Sequence, residues 1–207
     1  VAVRLMPHRQ LEPLMPVGRR AFLDYWPIEG PSEEPARLYR SIRWGRHVEI
    51  FILDTRQYRT PNASPDGPDK TMLGEPQRAW LLEGVLASDA TWKRVVSSVP
   101  RGMFTGGAHA DGWSDMNLFG YPRRSRAGFV HERDLILKTL QERGVRNVVF
   151  LAGDVHHAEL IRHALAPDYA IHEFVAGPLA ARQGYPRFLD RSLGSRSLAS
   201  LGFANNF

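Results

Sequence analysis

The 207-residue chain predicts an α/β fold, with helices covering a largely parallel or mixed sheet. Two observations predict it. Apolar strands alternate along the chain with amphipathic helical stretches, and two of those strands are apolar on both faces, as strands inside a parallel sheet are. The clearer of the two, Val148-Val149-Phe150-Leu151-Ala152, runs without a charge or hydroxyl into Gly153-Asp154-Val155-His156-His157. Strands of this kind carry their chemistry at the carboxyl end, where the loops leave the sheet.

Residues 1–40 show little regular pattern, because Pro7, Pro13, Pro16, Pro27, Pro31 and Pro35 break most candidate elements. Ala21 to Ile28 reads as a short helix or packed turn. Arg46 to Asp54 reads as a strand with Val48, Ile50 and Ile52 on one face and Phe51 and Leu53 on the other. Residues 60–74, rich in Pro, Gly, Asn and Ser, read as a surface loop. Pro76 suits the first turn of a helix over 76–87, with Trp80, Leu81, Leu82 and Val85 turned inward. Trp92 to Val99 is the next strand, closed by Pro100. Residues 101–127 form a long irregular segment, a length that is often functional. A helix follows from Phe129 to Arg143, with Leu135, Ile136 and Leu140 inward and Gly144 as its stop. Beyond the Val148 strand, Tyr169 to Ala176 reads as another. No internal repeat or second domain is visible.

Hydrophobic residues at 43% and charged residues at 24% place the chain with ordinary globular proteins. No apolar run approaches the roughly 20 residues of a membrane span. No signal peptide is visible behind Val1, although a chain without an initial Met leaves its true start open. The absence of cysteine excludes disulfides, thiolate metal sites and cysteine nucleophiles. The net charge of +5 and pI of about 9.9 raise the question of nucleic acid. All but three of the 27 basic residues are arginine, the exceptions being Lys70, Lys93 and Lys138. They are scattered, apart from Arg19-Arg20 and Arg123-Arg124, and no recognition module accompanies them. A solvated surface or an anionic substrate accounts for such a pattern better than a stable nucleic-acid partner.

Asp154 and His156 alternate with Val155, so continued extended geometry would point both the same way. A carboxylate and an imidazole converging at a strand end suit a hard or borderline metal ion. A turn carboxylate beside a packed histidine is the bland alternative. His157 either orients His156 or lies outside. In Leu53-Asp54-Thr55-Arg56-Gln57-Tyr58-Arg59, strand alternation would put Asp54, Arg56 and Tyr58 on one face. The planar fork of Arg56 fits a phosphate, while an Asp–Arg ion pair fixing a loop is equally in keeping with the pattern. Asp111-Gly112-Trp113 either lines a pocket or makes an ordinary turn. No Gly-x-Ser-x-Gly elbow, phosphate-binding Gly-x4-Gly-Lys loop or dinucleotide fingerprint is present, which leaves metal-assisted hydrolysis or no catalysis.

Seven blocks in order along nearly the whole chain resemble one family. They are Ala21 to Ile28, Leu38 to Gly45, Phe51 to Arg59, Leu73-Gly74 with Gln77 to Leu81, Trp92 to Pro100, Leu151 to Ala158, and Glu173 to Leu179. Together they resemble the PhoD-like alkaline phosphatases and phosphodiesterases, a branch of the calcineurin-like metallophosphoesterases. The resemblance implies a sandwich of mixed sheets wrapped by helices, with a two-metal centre at the strand ends that cleaves phosphate esters. It gives metal-ligand roles to Asp154 and His156 and places Asp54 and Arg56 near the active site, with Tyr58, His157, Asp111 and Trp113 as further candidates. The ions would be iron, calcium, zinc or manganese, and the location periplasmic or secreted. The family's earlier metal-binding blocks have no counterpart here. Residues 1–207 are therefore expected to form one partial PhoD-like domain, cut at both ends, that alone binds metal weakly and hydrolyses little. The alternative is a metallophosphoesterase-like fold serving as a non-catalytic module for anions or nucleic acid.

Overall fold

A computed structural model describes residues 14–28, 30–107, 109–123 and 127–201. The chain divides into two compact units, Val1–Arg40 and Ser41–Phe207. In the first, helix α1 spans Met15–Tyr25 with Pro16 in its opening turn. It starts earlier than the Ala21–Ile28 expectation, because a proline at the first turn is compatible with helix and only ends one from within. Extended backbone at Trp26 stops it, and the Trp26 ring stacks on Phe22 at 6.0 Å.

Seven strands form one mixed sheet: β1 (Arg40–Trp44), β2 (Val48–Ile52), β3 (Trp92–Val96), β4 (Val148–Ala152), β5 (Ala158–Ala166), β6 (Tyr169–Val175) and β7 (Ser195–Leu201). Their order is β1-β2-β3-β4-β6-β5-β7. The pairs β2–β3, β3–β4 and β4–β6 are parallel, whereas β5 runs antiparallel to both β6 and β7. Helix α2 (Gly74–Ala87) makes the crossover between β2 and β3, and α3 (Val130–Glu142) the one between β3 and β4. The protein is thus α/β with a mixed sheet flanked by helices, in keeping with the sandwich class expected. None of the described helices is long and apolar enough to cross a membrane.

The core lies between this sheet and the two helices. Phe51, Val95, Val148 and Phe150 of the sheet meet Leu81 and Val85 of α2 and Ile136, Leu137 and Leu140 of α3. Trp80 packs edge-on against Phe51 with ring centroids 5.9 Å apart. Leu135, expected inward, is 41% exposed, and Leu137 takes the buried position. The inward row of α3 runs 133, 136–137, 140, so Leu135 falls on the opposite side of the 3.6-residue turn. The loop over 60–74 also differs from expectation: Lys70, Met72 and Leu73 are buried. Lys70 is held there because its ammonium donates to the carbonyls of Asn62, Ser64 and Ala127 and lies over the Phe129 ring at 4.5 Å. Burial lowers its pKa.

Three strands left no clear sequence signal. The inward positions of β5 are Glu159, Ile161 and His163, so two of three are polar and the apolar alternation is lost. These polar groups sit inside because each is paired. His163 Nε2 lies 3.1 Å from Glu173 Oε2 and its Nδ1 2.9 Å from Ser195 Oγ. Glu173 also accepts from the backbone N–H groups of Arg101, at 2.9 and 3.1 Å, and Gly102, at 3.3 Å. β1 and β7 are the outer strands of the sheet and expose most of their side chains.

Helix α3 ends in the pattern that requires a left-handed residue. Gly144 has φ +62°, its N–H donates to Gln141 O at 2.9 Å, and the Val145 N–H donates to Leu140 O at 3.0 Å. Gly144→Ala should cost about 1–2 kcal/mol in urea unfolding, through the backbone alone, since an added Cβ would meet nothing within 4 Å. The Glu173 carboxyl gives an acid-dependent prediction. Burial pushes its pKa up, but His163, the Arg101 charge and the backbone donors outweigh it and leave it below the ordinary value. A folded-state pKa below the unfolded one stabilises the protein above the ordinary carboxylate range and is lost as pH falls through the depressed value. Glu173→Gln, which leaves the Arg101 guanidinium buried without its counter-charge, should cost about 3–5 kcal/mol at neutral pH. The gap to the parent should narrow in unfolding measured on the acid side.

Candidate active site

The carboxyl ends of β2 and β4 turn towards a common region, and the residues that follow them build the site. β4 stops at Ala152, and the backbone does not stay extended. Asp154 has φ +74° and His156 φ +62°, while the Val155 N–H donates to Gly153 O at 3.0 Å to close a tight turn. The expected alternation of Asp154 and His156 along a strand is therefore replaced by two left-handed residues. Aspartate and histidine are among the few side chains that tolerate this region, yet each such residue costs on the order of 1 kcal/mol or more and needs surrounding structure to hold it. Gly153 itself has an ordinary φ, so the sharp departure falls on its neighbours.

Part of that holding comes from Gly184. Its N–H donates to His156 O at 2.7 Å, and a Cβ there would stand 2.3 Å from Val155 O. Only glycine lets the 176–190 segment lie this close to the turn. A second hold is His157, which is buried rather than outside. Its Nδ1 faces Val155 O at 3.1 Å and its Nε2 faces Glu159 Oε2 at 3.0 Å, both acceptors. His157 thus ties the turn to β5 and does not face solvent.

The second strand end holds an ion cluster. Arg56 Nη1 donates to both carboxylate oxygens of Asp111, at 3.0 and 3.1 Å. Arg59 reaches the same residue through Nη1 to Oδ1 at 2.9 Å and Nη2 to its backbone O at 2.7 Å. Asn62 adds Nδ2 to Oδ1 at 2.9 Å. Burial pushes the Asp111 carboxyl up, but the bonds from Arg56 and Asn62 and the charges of Arg56 and Arg59 leave it below its ordinary value. Burial lowers the Arg59 pKa, with Asp111 opposing.

The two ends act on each other. Asp154 reaches solvent, yet the protein packed around it pushes its carboxyl above the ordinary value and Asp111 adds to the rise. Arg56, His156 and Arg187 oppose that rise. One acid, one imidazole, a clamped acid and two arginines therefore share a single electrostatic neighbourhood.

Asp54 and Trp113 are committed elsewhere. Asp54 spends its carboxylate on its own turn, accepting from the N–H groups of Arg56 and Gln57 at 2.9 and 3.0 Å and from Gln57 Nε2 at 2.6 Å. Its main chain is bonded in both directions by buried Gln77. The Asp54–Arg56 ion pair, which the sequence offered as the alternative to phosphate contact, is not made; Arg56 pairs with Asp111 instead. Tyr58 lies beyond the end of β2, where strand alternation no longer holds, and packs by Cβ near Gly74. Trp113 is 1% exposed and donates from Nε1 to Ser97 Oγ at 3.1 Å, so it is core and lines no pocket. Sequence pattern does not point to Arg59, Asn62, Gly184 or Arg187 as parts of the site. Arg59 has a local signal only in lying three residues after Arg56, whereas nothing in the sequence brings Arg187 to Asp154.

A carboxylate oxygen and an imidazole nitrogen are chemically suited to iron, zinc, manganese or calcium. Two donors fill fewer than the roughly four to six positions such ions take. Among the described residues no group of three or more His, Cys, Asp or Glu side chains stands ready to hold a metal ion. The donor chemistry fits and the donor count does not.

Comparison with known proteins adds three findings. Alkaline phosphatase D of Bacillus subtilis (strain 168) is 28% identical over 151 residues, which is 66% of this chain and 24% of that protein. The solved structure of PhoD superposes with a TM-score of 0.60 at 23% identity, covering 77% of this chain and 33% of that one, a likeness of fold. The chain thus spans about a quarter of the length of the first of these relatives and about a third of the second. The model of the PhoD-like phosphatase family matches residues 6–201, and the chain belongs to that family.

Proposed function

We propose that the chain forms part of a metal-dependent phosphate-ester hydrolase of the alkaline phosphatase D type, acting on monoesters or diesters. What supports this most is the turn after β4, where Asp154 and His156 are both held in left-handed backbone beside Arg56 and Arg187. Strained backbone at polar residues persists where function needs a fixed geometry. In this reading Asp154 and His156 are two ligands of a two-metal centre whose other ligands are not among the described residues. Bound metal would supply the Lewis acid and the activated water that such hydrolysis uses.

The chain's own residues then bind and orient. A phosphate ester brings negative charge that grows on the non-bridging oxygens during transfer, and an arginine fork neutralises it over two oxygens at once. Arg56 commits Nη1 to Asp111, while its Nε and Nη2 make no hydrogen bond among the described residues. Those donors are assigned to the phosphoryl group. Asp111 keeps the guanidinium from following the substrate out, and Arg59 and Asn62 keep Asp111 in place.

Two substitutions test the reading in the native protein that carries this chain. Asp154→Asn should lower bound metal, measured by elemental analysis, together with turnover of p-nitrophenyl phosphate. The fall should be at least about 100-fold, since even residues behind a ligand are worth 10–100-fold. Full activity with an unchanged melting curve would remove Asp154 from the site, whereas a parent protein with neither bound metal nor turnover would favour the non-catalytic module. Arg56→Ala should reduce kcat/KM by about 10–100-fold, the worth of one hydrogen bond to a charged group at roughly 1.5–3 kcal/mol. Arg56→Lys should recover little of it, because an ammonium cannot make the planar paired contact.

A further inference from the structure

An open cavity of about 680 Å³, within the size range of small-molecule sites, lies along β5 and β7 near the segment that contacts the Asp154–His156 turn. Its walls come from the 186–191 segment, Ser195, Ser197 and Ser200 along β7, and Glu159 of β5. Two contacts make it adjacent to the site. Glu159 is bonded to His157, and the segment leading to Arg187 is pinned to His156 by the Gly184 N–H at 2.7 Å. Arg187 belongs to both places: it lines the cavity, and its charge acts on Asp154.

The chemistry of the walls is one-sided. Arg187 and Arg191 are cationic, and Glu159, the sole acid among the lining residues, already accepts from His157 through Oε2. Phe188 and Leu189 give an apolar wall, and serine hydroxyls stand along β7. Arg191 is fixed in advance, with Nε donating to Phe119 O at 3.1 Å and its guanidinium 4.5 Å over the Tyr121 ring. Arg187 makes no hydrogen bond or ion pair among the described residues. A surface arginine ordinarily keeps its rotamer freedom, so pinning one over a cavity removes an ordering cost that a bound anion would otherwise meet.

We propose that this cavity is a leaving-group subsite for phosphate esters whose alcohol portion carries its own negative charge, recognised by Arg187 and Arg191. The proposal rests on the phosphate-ester hydrolase reading. It assigns the phosphoryl group to the Asp154–His156–Arg56 side and the charged organic portion to the Arg187–Arg191 side.

Two esters of matched size and similar electronic character test it in the native protein: 4-carboxyphenyl phosphate and 4-carbamoylphenyl phosphate, which differ by one charge. The carboxylate ester should be favoured by about 10-fold or more in kcat/KM, the low end for a hydrogen bond to a charged group. Arg187→Ala with Arg191→Ala should bring the ratio to about 1, whatever happens to the absolute rates. Binding of the bare leaving groups, 4-hydroxybenzoate against 4-hydroxybenzamide, is measured alongside by calorimetry and should show the same preference and the same loss. Equal turnover of the two esters, with no preference for 4-hydroxybenzoate, would overturn the subsite and leave the hydrolase reading standing. Arginine-dependent binding of 4-hydroxybenzoate without turnover of either ester would leave an anion site at Arg187 and Arg191 but overturn the hydrolase reading and, with it, the leaving-group role.

Discussion

Glu173 sits on the central parallel strand pair with no exposure to solvent, and the arrangement of the long irregular segment depends on what that carboxylate accepts. The N–H groups of Arg101 and Gly102, His163 Nε2 and the Arg101 guanidinium all converge on it. An isolated carboxylate in such a position would be prohibitively costly, and the same burial makes it a strong anchor once its donors are in place. The guanidinium of Arg101, which burial lowers to about 10 and which stays charged at neutral pH, in turn lies 3.4 Å from the centre of the Phe150 ring. The segment that leaves β3 is thereby fastened to β4 and β6 at its first residues.

The same device recurs wherever the chain lacks regular hydrogen bonding. Arg133 of α3 is buried and donates to Asp190 Oδ2 and Ser114 Oγ, both at 2.7 Å, joining the middle of the irregular segment to the 176–190 stretch. Glu132 receives Thr71 Oγ1 and the N–H groups of Met72 and Leu73, which holds the entry to α2. Asp111 receives Arg56, Arg59 and Asn62. Several of the many arginines are therefore interior ties rather than a solvated coat. Arginine suits the task because its fork makes several directed bonds at once and keeps its charge when buried.

These ties position the site. Loops 53–62, 101–123 and 176–190 have no strand pairing of their own along most of their length, yet each presents a charged side chain to the turn after β4. Two left-handed residues in that turn would relax in an isolated peptide, since the one backbone bond within it, from the Val155 N–H to Gly153 O, is too little to compensate them. The Gly184 contact and the buried His157–Glu159 pair supply the constraint from outside the turn. Placing the acid and imidazole at a strand end thus requires most of the sheet to be in place first.

The sequence by itself determined the α/β class, the βαβ succession from β2 to β4, the stop of α3 at Gly144 and the candidacy of Asp154, His156 and Arg56. These follow from local rules: apolar runs, helical periodicity, glycine in the left-handed region, and polar groups just past a buried strand. Strand β5 was not legible, because its inward row is Glu-Ile-His and only distant partners make that row burial-competent. The roles of Asp54, Trp113 and His157 were not legible for the same reason, as each is decided by the hydrogen-bond partner it meets. Whether Arg56 pairs with Asp54 or with Asp111, 55 residues away, is invisible to any local pattern. Only the tertiary structure decided it, because the worth of a charge depends on what faces it and on how little water remains between them.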